Sequence, residues 1–244
     1  MASPDSPLAK KMRAELERYY NLRQHDSNDQ AFKRNFENLQ KWQAQRLQKT
    51  HMRLLDDQVT RGATEFFLTD VYGGIDLTDL ARDIERVLFK ALRVLPETVM
   101  ETSALAMELN ALTAELDERM TDILFYEYKV DEISDETYCE AFRQVCDKST
   151  REQQAQMVKH LGQGLDKYVR SRLVFGAYKL ARKPAEKSGL KALVGFLDRA
   201  FHVMRPMDSA ERLIHAIVDV EMELVKRVYS KHPAPFDLIA EHKY

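Results

Sequence analysis

Apolar positions recur every three or four residues along most of the chain, and no stretch alternates with a period of two. That pattern predicts helices and no strands. Leu8, Met12, Leu16 and Tyr19 or Tyr20 mark a first helix, and the chain turns around His25 to Asp29. A long helix is expected over residues 30–57. Its stripe opens with Phe32, Phe36 and Leu39, then carries Gln43, Arg46 and Thr50 on the same face, with Trp42 to the side. Polar residues in succession bury poorly, so the middle of this helix is expected to face solvent and its aromatic end to pack on another element or a second copy. Val59, Ala63, Phe66, Phe67, Val71 and Tyr72 then share one broad helical face. Gly73 and Gly74 stop that helix, because glycine accepts the left-handed conformation of a helix end. Positive φ is expected at Gly73. Asp76 suits an N-cap for a helix over 76–95.

Pro96 opens the next helix, which runs to about residue 126 with Leu105, Leu109, Leu112, Leu116 and Ile123 as its seam. Ser134 caps a helix to about 147. Ser149 with Glu152 reads as a capping box for one long helix ending near 182, with Pro184 closing the region. A helix over 188–204 follows, and Asp208 with Glu211 caps a last one to about 229. The expected fold is an all-α helical bundle of about eight or nine helices. It divides into an N-terminal helical arm, 1–58, and a bundle core, 59–244, or forms one continuous domain. On the two-part reading, the core survives removal of the arm.

The segment Arg61-Gly62-Ala63-Thr64-Glu65-Phe66-Phe67-Leu68-Thr69-Asp70-Val71-Tyr72-Gly73-Gly74, followed by Asp76-Leu77-Thr78-Asp79-Leu80-Ala81-Arg82-Asp83-Ile84-Glu85-Arg86, resembles the signature of the bacterial FFLEELY-motif proteins. Leu95-Pro96, Glu108-Leu109-Asn110-Ala111-Leu112, Glu115-Leu116-Asp117, Gly164-Leu165-Asp166 and Phe196-Leu197-Asp198-Arg199-Ala200-Phe201 continue the likeness. Phe66, Phe67, Asp70, Tyr72, Gly73, Gly74, Arg82 and Asp83 are its structural motif here. Thr69, Asp70 and Val71 depart from the Glu, Glu and Leu of the family name, and Gly74 stands where proline is expected. These changes keep helix and polarity. The resemblance implies no activity, so it assigns no functional residue.

Composition narrows the class. Of 244 residues, 44% are hydrophobic and 31% charged, with 8 Gly and 7 Pro, which suits long helices in a globular chain rather than disorder. No apolar run reaches membrane-spanning length and no signal-peptide pattern opens the chain, so a cytoplasmic protein without membrane contact is expected. Cys139 and Cys146, seven apart on one helix, are about 10 Å apart at 1.5 Å per residue, too far for a disulfide. Reduced thiols follow.

The net charge of −2 hides a segregation. Residues 97–147 hold 14 acidic and 3 basic residues; residues 148–205 hold 13 basic and 4 acidic. Either adjacent helices of opposite charge attract one another, or two faces recognise charged partners. Glu101, Glu108, Glu115 and Asp122 form one row at intervals of seven. Arg172 shares a face with Met157, Leu161, Leu165, Tyr168 and Phe175 if the helix over 149–182 is continuous. A buried arginine requires a carboxylate, which Glu108, Glu115 or Asp117 could supply. That network is either a core ion pair or a ligand site for an anion, with Tyr72 nearby.

Histidines lack the paired Glu-x-x-His segments of a di-iron bundle, and Glu211, His215 and Asp219 read as an exposed polar row, so no metal and no cofactor are expected. No nucleophile elbow and no phosphate loop is present. No catalytic residue is assigned. The leading expectation is a non-enzymatic interaction or scaffold protein with an unknown protein partner or a second copy of itself. The alternatives are a small-molecule-binding bundle, or enzyme, acting on an anionic ligand through Arg172, and a nucleic-acid binder using 148–205. Nucleic acid is disfavoured because the acidic segment is expected to cover the basic one.

Overall fold

A computed structural model describes residues 6–71, 78–94 and 96–239. Among these, eleven α-helices and no strand are present: α1 (Pro7–Asn28), α2 (Gln30–Thr50), α3 (Met52–Asp56), α4 (Arg61–Phe66), α5 (Thr78–Val94), α6 (Glu97–Thr121), α7 (Asp135–Val145), α8 (Lys148–Arg170), α9 (Arg172–Lys187), α10 (Lys191–Met204) and α11 (Glu211–Tyr229). Wider π-helical turns, Phe67–Val71 and Asp122–Glu127, extend α4 and α6. The all-α class follows from the periodicity; the count exceeds the expected eight or nine for two local reasons. The helix expected over 30–57 ends at Thr50, and α3 and α4 are separate short pieces. Asp57 accepts from the backbone of Val59 at 2.7 Å, and Thr60 Oγ1 donates to the Leu54 carbonyl at 2.7 Å, which fixes the turn between them. The helix expected over 149–182 is broken at Ser171, whose ψ of 118° is extended. The Ser171 hydroxyl accepts from the Val174 N–H at 3.3 Å and starts α9 afresh.

Caps elsewhere are partly those expected. Pro96 precedes α6, and Ser134 with Thr137 forms a box at α7. At α8 the cap is Asp147, which accepts from Thr150, rather than Ser149 with Glu152. At α11, in place of Asp208 with Glu211, Ser209 Oγ accepts from the Glu211 N–H at 3.1 Å, and Asp166 of α8 accepts from the preceding Ala210 N–H at 3.1 Å. Pro184 lies inside α9 rather than after it.

Helix α6 sits at the centre and supplies all three apolar clusters. Met100, Ala104, Met107, Ala111 and Ala114 pack with Ala9, Met12, Leu16 and Tyr19 of α1 and with Ala81 and Leu88 of α5. Leu116 and Met120 pack with Leu39 of α2, Tyr138 and Phe142 of α7 and Leu224 and Val228 of α11. Leu109 joins the largest cluster, built on Met157, Val158 and Leu161 of α8 with Leu213, Ile214 and Ile217 of α11. A Cβ at Gly162 would lie 2.9 Å from Ile214, and one at Gly164 would lie 2.8 Å from Thr102. These two glycines let α8 approach both neighbours.

The family-like stretch holds α10. Phe66 and Phe67 are buried, and Phe66 meets Phe196 at 5.3 Å between ring centroids. Arg199 donates to Asp70 through Nε at 2.9 Å. Asp83, buried on α5, accepts from the backbone N–H groups of Ala192 and Leu193 at 2.9 and 3.1 Å. It therefore caps the start of α10 from another helix, satisfying donors that have no partner within α10. Arg86 donates to the carbonyls of Ser188 and Gly189 at the same corner, where Gly189 has a φ of +81°. Asp83→Ala is expected to destabilise the fold by about 1 kcal/mol, and Asp83→Asn by less, because an amide oxygen can accept the same bonds. Urea unfolding of the two variants checks this. An alanine variant as stable as the parent would show that the cap does not hold α10.

Candidate functional site

Among the described residues, α9 is the one helix without a buried position. None of its residues is buried, and Leu173 and Leu180 are 80% and 82% exposed. Its inner face still touches α10. Phe175 and Tyr178 lie 5.0 and 4.8 Å from the ring of Phe201. Arg182 grips Asp198 with two nitrogens, Nε at 2.9 Å from Oδ1 and Nη2 at 2.7 Å from Oδ2. The Tyr178 hydroxyl donates to the same carboxylate. The guanidinium bonds hold the Asp198 carboxyl below the usual carboxylate range. Burial and then the bond to Asp198 push the Tyr178 phenol up to about 12. Near neutral pH, Asp198 is thus ionised and Tyr178 protonated, a fixed clasp rather than an acid–base pair.

Around the clasp, α9 and α10 enclose a cleft of about 440 Å³ with an aromatic floor and a cationic rim. Arg205 stacks on Phe175 at 3.8 Å, and Lys179 lies 4.6 Å from the centre of the same ring. Lys183 completes the rim, with His202 beside it. Among the described residues, Asp198 is the one acid lining the cleft, and Arg182 answers its charge. Chemically, this surface can attract carboxylates and shelter an apolar group.

The residues singled out from sequence do not converge. Arg172 is exposed at the start of α9, not buried, because the break at Ser171 resets the helical phase that placed it beside Leu165 and Tyr168. Glu108 pairs with Lys11 at 2.6 Å and Glu115 with Arg18, so the acidic row meets α1. Glu115 lines a second cleft, about 630 Å³, beside Glu17 and Glu118, an acidic setting unsuited to an anion. Asp117 is buried and accepts from Gln43 Nε2 at 3.0 Å. Arg82 forms an exposed pair with Asp79. Tyr72, Gly73 and Gly74, with the positive φ expected at Gly73, lie outside the described residues. The acidic segment does not cover the basic one on α9, where Lys179, Lys183 and Lys187 are exposed.

The buried ion pair is elsewhere. Arg46 of α2 and Glu221 of α11 meet at 2.5 Å, with side chains only 7% and 5% exposed. His51 Nε2 stands 3.9 Å from the same carboxylate. Burial lowers the His51 imidazole below the usual histidine range, outweighing the attraction of Glu221. Thr50 and His51 are fully buried, which overturns the solvent-facing middle expected for the helix over 30–57. Arg151 is a second buried arginine, over the Phe142 ring at 4.0 Å and donating to Gln154 at 3.1 Å. Cys139 is buried, Cys146 is half-buried, and both are free thiols; burial pushes Cys139 up to about 11.

No group of three or more His, Cys, Asp or Glu among the described residues is placed to hold a metal ion. Among them, no helix is long and apolar enough to cross a membrane. No curated protein and no solved structure matches the chain. A family model described as "Domain of unknown function (DUF8198)" matches residues 22–235, from the end of α1 to just beyond α11, and the chain belongs to that family.

Proposed function

We propose that this chain is a non-enzymatic cytoplasmic interaction protein of the bacterial FFLEELY-motif type, and that it docks a protein partner on the outer face of α9. One observation carries the reading: a helix of 16 residues buries none of them, and two of its leucines stand almost fully in water. Apolar side chains aligned on one exposed helix face mark an interaction site more often than scattered single ones do. The alternative, a small anionic ligand held in the α9–α10 cleft, draws on the same cations and needs no docking on Leu180.

Site-specific photocrosslinking separates these. A benzophenone amino acid at position 180 should give discrete adducts in a lysate of the source organism, and one at the exposed Lys33 of α2 should not. No adduct at 180 beyond that at 33 would remove the docking reading.

A further inference from the structure

We propose that the partner presents an acidic amphipathic helix, whose apolar stripe lies on Leu173 and Leu180 while its carboxylates face Lys179 and Lys183. This inference rests on the docking reading above and names its chemistry.

Leu173 and Leu180 are seven residues apart, so they stand on one line, nearly two turns from each other. At about 100° per residue, Arg172, Lys179 and Lys183 border that line on one side. Ala177, Ala181 and Pro184 border it on the other. The exposed face is therefore a leucine line between a cationic edge and a small-residue edge. A straight helix laid along it places its own i, i+3, i+4, i+7 stripe on the leucines and its flanking side chains on the cations. The small edge lets the two backbones approach. Behind the cationic edge, the cleft of about 440 Å³ can take one apolar side chain against Phe175 and Tyr178.

Two other occupants fit less well. A helix held on a lipid surface buries a broad face of Trp, Phe or Leu side chains. In α9 both aromatics turn inward to Phe201, and the outward line holds only leucines and small residues. A second copy pairing α9 with α9 antiparallel would set Lys179 and Lys183 against the same cations, and a parallel pairing would leave them facing the small-residue edge without carboxylates.

The test uses the full chain and defined probes: a synthetic helix with a leucine stripe flanked by glutamates, the same helix with lysines for glutamates, and phosphatidylcholine vesicles containing phosphatidylglycerol. The acidic helix should bind, and the basic one should not. Affinity should fall about tenfold or more between about 50 and 500 mM salt, because the charges involved are exposed. Lys179→Glu with Lys183→Glu should weaken it about tenfold, and Leu180→Ser by a similar factor. Circular dichroism should show both variants folded, since none of these side chains is buried. Equal binding of the two helices, flotation with the vesicles, or a dimer in sedimentation that Leu180→Ser dissolves would each overturn the proposal. Adducts at position 180 that persist in high salt and in the double lysine variant would keep the docking surface and reject an acidic partner. Absence of adducts would reject both.

Discussion

Arg46→Ala is expected to destabilise the protein by about 3–5 kcal/mol. The reason lies in what remains. Glu221 is almost completely buried and receives Arg46 at 2.5 Å. His51, 3.9 Å away, is held below the usual histidine range, chiefly by burial. An ionised interior carboxylate that loses its guanidinium must take up a proton or draw in water, and either response costs free energy. Removing both charges should be far milder. Arg46→Met with Glu221→Leu should recover most of the loss, because well-packed apolar pairs commonly match buried ion pairs in stability. Urea unfolding of the single and double variants gives the coupling. Strictly additive losses would show that the pair is not an energetic unit.

Deleting residues 1–58 should abolish cooperative unfolding rather than leave a folded core. Met12, Leu16 and Tyr19 of α1 fill the cluster that lines one side of α6, and Leu39 of α2 lies in the cluster shared by α6, α7 and α11. Phe32, Phe36, Leu47 and Leu54 are buried as well. Each such side chain contributes about 1.5–3 kcal/mol on burial. Together they reach the roughly 5–15 kcal/mol that holds a domain. The deletion also removes Arg46 and leaves Glu221 behind. Circular dichroism and thermal melting of the truncated chain check this. A sharp melt with native helicity would restore the division into arm and core.

Much of the fold was legible because helix periodicity and caps are local. The starts of α6, α7 and α11 could be placed within a few residues from Pro96, Ser134 and Asp208. The break at Ser171 was not legible, because nothing in its neighbours stops a helix, although its hydroxyl caps the new one at Val174. That one residue turned Arg172 from an apparent core cation into a surface one. The buried pair had a signal that was read the wrong way. Arg46 continues the line of Phe32 and Leu39 at intervals of seven, and Glu221 stands between Ile217 and Leu224 in the stripe of α11. One basic and one acidic residue, each in an apolar register of a different helix, point to each other as readily as to solvent. Periodicity cannot decide between those meanings, because partnership across 175 residues is a tertiary fact. The docking face was illegible for the opposite reason: Leu173 and Leu180 look like core residues until the structure shows them four-fifths exposed.

That uncovered helix also bears on how such a protein can change over generations. A buried position tolerates few substitutions, because most alter volume or leave polar groups without partners. Helix α9 has no buried position. Its outer residues can be exchanged within the small stability margin that proteins keep, while the clasp of Arg182 on Asp198 and the three apolar clusters stay intact. Related chains could thus keep one bundle and diverge in what they recognise, each by rewriting a few exposed side chains on this helix.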